Sequence, residues 1–120
     1  MIEALLAAYE VTGDPRYLAR AREAGDWWIG LELKDGPFKG MIDAAHGDRL
    51  GALINFTTVG NGTPGLFRLS RVTGDPRYAD VASAAIIWLA RNTKVPGHPG
   101  LYYNILDPAT GTIWTDKSPH

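Results

Sequence analysis

The sequence predicts a mainly α protein made of repeated αα-hairpins, and three observations carry that prediction. The string VTGDPRY occurs at Val11 to Tyr17 and again at Val72 to Tyr78, 61 positions on. Each copy is followed by small and aromatic apolar residues at helical spacing. A long Gly-containing segment then follows each helical stretch. Placed in register, the match extends to Leu5 on Leu66, Ala21 on Ala82, Ala24 on Ala85 and Trp27 on Trp88. One supersecondary unit is used twice.

The elements follow in order. The opening MIEALLAAYE reads as a helix already in progress, ending near Thr12. Gly13 and Gly74 supply the left-handed residue that terminates a helix, because glycine has no Cβ to clash there. Asp14 and Asp75 then cap the next helix, with Pro15 and Pro76 at its first position, where a missing N–H costs nothing. VTGDPRY is therefore a tight reversal between antiparallel helices. The predicted helices are Ile2 to Thr12, Pro15 to Leu33, Pro64 to Thr73 and Pro76 to Asn92. Tyr17, Ala21, Ala24 and Trp28 share one face, as do Tyr78, Val81, Ala82, Ala85 and Leu89. The repeat positions of Trp27, Trp28 and Trp88 place them in the core.

The chain thus reads as a single segment, 1–120: hairpin one at 1–33, a long loop at 34–63, hairpin two at 64–92, and a terminal loop at 93–120. In that last loop LYYNIL and TIWTD flank the turn DPATG, a β-hairpin pattern. Hairpins alternating with decorated loops imply a toroid or solenoid in which each unit buries its apolar face against neighbours. Two units are fewer than such stacks need. The expectation is a segment of a longer protein or a self-assembling chain.

Composition narrows the function classes. The 120 residues are 45% hydrophobic and 21% charged, with a net charge of -1 and no basic block, which disfavours nucleic acid. There is no cysteine, hence no thiolate metal site or cysteine nucleophile. Ala82 to Ala90 is too short to span a bilayer, and no membrane partner is expected. The first residues lack the basic start and cleavage site of a signal peptide, which leaves the compartment open with the cytoplasm favoured. No cofactor is expected.

LAAYEVTGDPRYLARAREAGDWW and GNGTPGLFRLSRVTGDPRYADVASAAIIWLA resemble the helical hairpins of the six-hairpin glycosidases, whose fold is an (α/α)6 toroid. The texture is most similar to the unsaturated glucuronyl and rhamnogalacturonyl hydrolases, glycoside hydrolase families 88 and 105. Similar turns recur in mannanases, sugar 2-epimerases and uronate epimerases. The resemblance implies a carbohydrate cleft formed by the long loops at one end of the ring. The aspartate-containing catalytic motifs of the unsaturated uronyl hydrolases are not matched by any position here. A sugar epimerase, or a non-catalytic repeat that binds a glycan or protein, are the alternative readings.

Sugar hydrolysis or hydration needs a carboxyl group that donates a proton, often with a second acting as base or nucleophile. MIDAAHGDRLG offers Asp43, His46 and Asp48 as catalytic candidates, with Arg49 beside them. Asp43 leads, since Met41 and Ile42 offer burial that would raise its pKa; the plainer role of Asp43 and Asp48 is local turn hydrogen bonding. No metal is assigned, because these residues lack a second histidine or cysteine at ligand spacing. Tyr102, Tyr103 and Trp114 offer aromatic faces to a sugar, or pack the loop onto the helices. Alternation turns Tyr102 and Tyr103 to opposite faces, so at most one faces a ligand. Asp107 and Asp116 supply further carboxylates, and Asp116 is grouped with the substrate-binding candidates. Asn61 lies in TTVGNGTPG, read as the opening of the third helix, where Gly60 to Thr63 would receive a substrate carboxylate or simply cap the helix through Thr63.

Overall fold

The computed structural model describes residues 1–43, 54–103, 105–107 and 111–113. Among them the chain is mainly helical: α1 (Ile2–Thr12), α2 (Pro15–Gly30), α3 (Phe56–Thr73) and α4 (Pro76–Asn92), with short strands β1 (Ile54–Asn55), β2 (Ile105–Asp107) and β3 (Thr112–Ile113). The strands run antiparallel in the order β1-β2-β3. Of the predicted terminal hairpin, residues 104, 108–110 and 114–116 lie outside the described residues.

Both VTGDPRY turns close through the same local bonds. Gly13 and Gly74 adopt φ 66° and 74°, and their N–H groups reach back to the carbonyls of Tyr9 and Ser70. Thr12 and Thr73 hydroxyls donate to the carbonyls of Ala8 and Leu69 and accept from the N–H groups of Asp14 and Asp75. Asp14 and Asp75 each accept the N–H two residues on, at 3.0 Å in both copies. Each carboxylate also takes a forked contact from Arg16 or Arg77. That guanidinium holds both carboxyls below the usual aspartate value.

The four helices pack in two layers. In one, α1 and α3 lie together, with Gly65 against Ile2 and Arg68 bonded to Glu10 at 2.8 Å. In the other, α2 and α4 lie together, and the Tyr78 hydroxyl donates to Asp26 Oδ1 at 2.6 Å. The layers meet through α2 on α3 as well as within each hairpin, whereas α1 and α4 share no extensive contact. A closed four-helix bundle would join α1 to α4; here the second hairpin stacks on the first. Close approach depends on three glycines, among them Gly65, where a Cβ would stand 2.9 Å from Ile2 Cβ. A Cβ at Gly25 would stand 2.4 Å from Leu69 Cδ2, and one at Gly62 would stand 2.7 Å from the Trp28 ring.

Three elements depart from the sequence prediction. α2 ends at Gly30 rather than Leu33, and α3 begins at Phe56 rather than Pro64. TTVGNGTPG is thus helix interior. Pro64 deletes one backbone hydrogen bond, but Val59, Thr63, Leu66 and Ser70 form a buried stripe at steps of four, three and four that continues past it. That packing outweighs the local preference for a break. Trp27 is 49% exposed rather than core, because it lies about 100° around the helix from Trp28, which packs against the core instead.

Candidate functional site

The segment after α2 folds back on itself. Leu33 N–H donates to the Met41 carbonyl at 2.8 Å, Asp43 N–H to the Leu31 carbonyl at 2.9 Å, and Glu32 pairs antiparallel with Ile42. This returns Phe38, Met41 and Ile42 to the core. Its position follows from a stagger between the helices. Tyr78, in the first turn of α4, sits against Gly25 and Asp26 late in α2, so α4 runs on beyond the end of its neighbour. The loop covers that overhang: the Phe38 ring meets Trp88 edge-on at 5.1 Å.

The segment after α4 is built the same way. Val95 N–H donates to the Leu101 carbonyl at 3.1 Å, Tyr103 N–H to the Thr93 carbonyl at 2.7 Å, and Lys94 pairs antiparallel with Tyr102. Asp43 and Tyr103 therefore occupy matching positions at the foot of matching loops, with Gly40 and Gly100 at φ 95° and 87° on the returning arms. Since α2 and α4 point the same way, both loops emerge at one end of the molecule. β1 leads into α3 from that end and pairs with β2, just beyond Tyr103. The sequence contained this extension of the repeat only as spaced glycines, Gly36 and Gly40 against Gly97 and Gly100.

The structure places the candidates unevenly. Asp43 is buried, at 5% exposure, as its apolar neighbours imply. Tyr102 and Tyr103 are half-buried at the foot of the second loop, and a hollow of about 590 Å³ follows its arms from Lys94 to Tyr102, with exposed His98 at its rim. His98 was missed in the sequence, because a lone histidine between prolines carries no motif. Asn61 is exposed on α3, beside a cleft of about 280 Å³ that it lines with Glu3 and Trp28. The helix-N-terminus reading of Gly60 to Thr63 is corrected: these residues lie inside α3, and Thr63 is buried within it rather than capping it. His46, Asp48, Arg49, Trp114 and Asp116 lie outside the described residues.

Among the described residues, no group of three His, Asp or Glu side chains is placed to hold a metal ion, and no helix is long and apolar enough to cross a membrane. Among the described residues, a strong electrostatic perturbation lies at the joint between hairpins. Burial, aided by the hydrogen bond to Asp26, pushes the Tyr78 hydroxyl up to about 12. Arg77 stands 3.9 Å from Asp26 and 5.8 Å from the Tyr78 ring centre. That cluster fastens α4 to α2. The loop end differs in kind: a buried carboxyl stands at the foot of one loop and two half-buried tyrosines at the foot of the next. No family model, no curated protein and no solved structure matches this chain.

Proposed function

We propose that the chain acts on carbohydrate as hairpins of an (α/α)6 toroid, as a glycoside hydrolase of the unsaturated uronyl type. The observation that carries this reading is the shared end of the two loops, where Asp43 and Tyr103 hold equivalent positions. Asp43 acts as the proton donor, held among apolar neighbours. Tyr102 or Tyr103 stacks on a sugar ring, and Trp114 and Asp116, which follow β3 in sequence, are further substrate-binding residues in this reading. His46 and Asp48, close to Asp43 in sequence, complete the acid–base set, and Asn61 contacts the substrate from α3.

The test is incubation with unsaturated uronides, following loss of the ultraviolet absorbance of the ring double bond. Asp43→Asn is expected to lower turnover by about 100-fold or more, the scale of general acid catalysis, while leaving glycan binding in calorimetry unchanged. A second reading, a glycan-binding module, is favoured by the hollow along residues 94 to 102. Binding without turnover by the wild-type chain would select it, and absence of both would end the carbohydrate reading.

A further inference from the structure

Burial differs across the repeat in a directional way. Tyr17 and Tyr78 hold the same repeat position, yet Tyr17 is 37% exposed and Tyr78 is 1% exposed. Tyr78 is covered because the first hairpin lies beside it, with Gly25 and Asp26 beneath its ring and hydroxyl. The positions equivalent to Gly25 and Asp26 in the second hairpin are Ile86 and Ile87, which are 36% and 47% exposed. Phe67 adds to that surface at 37% exposure, although its counterpart Leu6 is fully buried. One edge of the stack thus displays an unused tyrosine, and the opposite edge displays an unused seat.

The sizes at the two edges are exchanged in a compensating manner. Inside the molecule, Gly25 makes room for Leu69, whose Cδ2 leaves no space for a Cβ. At the free edges Ile86 stands in place of Gly25, and Ala8 stands in place of Leu69. Small meets large in both settings, with the partners reversed. Helical stacks that end in solvent carry polar outer faces, whereas here Tyr17 on one edge and Phe67, Ile86 and Ile87 on the other leave large apolar side chains exposed.

We infer that the chain associates head to tail with a second copy of itself, the Tyr17 edge of one copy seating on the Phe67, Ile86 and Ile87 edge of the next. This inference rests on the repeat and is independent of the carbohydrate reading. Such a heterologous contact closes a ring or propagates a filament. Three copies would supply six hairpins.

The test is light scattering on a sizing column across a concentration series, with Tyr17→Asp and Ile87→Asp blocking one edge each. The wild type is expected to exceed twice its 13.0 kDa chain mass, and each variant to run as a monomer. An equimolar mixture of the variants should form a complex of two chains, because each retains the edge the other lacks. Circular dichroism checks that the helices persist, and Tyr17→Ser with Ile87→Ser replaces the pair if they do not. A folded wild-type monomer at millimolar concentration, dimers of a single variant alone, or a mixture that stays monomeric would each overturn the inference.

Discussion

The two VTGDPRY turns are the same object locally and different objects in their surroundings. Hydroxyl, carboxylate and guanidinium repeat their bonds in both copies, down to 3.0 Å from each cap to the N–H it accepts. Yet the tyrosine that ends each string is sealed in one copy and open to solvent in the other. Local sequence determines the turn, whereas the neighbouring hairpin determines what the turn is worth in stability.

The widest gap between the copies should appear on truncating that tyrosine. Tyr78→Ala removes a fully buried ring and leaves Asp26 without its hydroxyl donor, and it should cost about 3–5 kcal/mol in urea unfolding. Tyr17→Ala should cost less than about 1 kcal/mol in the monomer, within the range of surface substitutions. Equal costs would mean that the hairpins do not stack as described.

Next in size is the contact surface itself. Gly25→Ala drives a Cβ against Leu69 and should destabilise by about 1–3 kcal/mol, as overpacking does. Leu69→Ala opens the space, so the double variant should lose less stability than the two single losses added together. Strict additivity in denaturant melts would place the two residues apart.

A pH titration sharpens the comparison least in energy but most in assignment. The folded pKa of Tyr78, about 12, is raised above the ordinary tyrosine value of 10.0. Its contribution to stability is therefore complete below pH 10 and is lost as pH rises from there through about 12. Asp26→Ala should bring the Tyr78 titration down only partway in NMR, because burial is the larger cause. A fall all the way to the ordinary value would mean that the hydrogen bond, and not burial, holds the proton on.

The helical hairpins were legible in the sequence because caps and left-handed glycines act within a few residues. Gly13, Asp14 and Pro15 carry their own instructions, and so do Gly74, Asp75 and Pro76. The start of α3 was illegible for the opposite reason. Gly62 reads as a breaker until Trp28, 34 positions earlier in the sequence, is seen to need its missing side chain. Burial of Asp43 was foreseeable from Met41 and Ile42. Its match with Tyr103 was not, since that correspondence lies in backbone bonds across loops of unequal length.

The overhang of α4 past α2 has a consequence for the order in which the molecule is made. Phe38 leaves the ribosome about fifty residues before Trp88, the ring it meets. Until α4 forms, Phe38 lacks the ring it packs against, and that contact closes across about fifty residues, the kind of non-local pairing that slows folding. The setting of Phe38, on the same fold-back as Asp43, is therefore completed only with α4, although Phe38 is encoded in the first half of the chain. A chain interrupted before α4 would hold the residue without its setting.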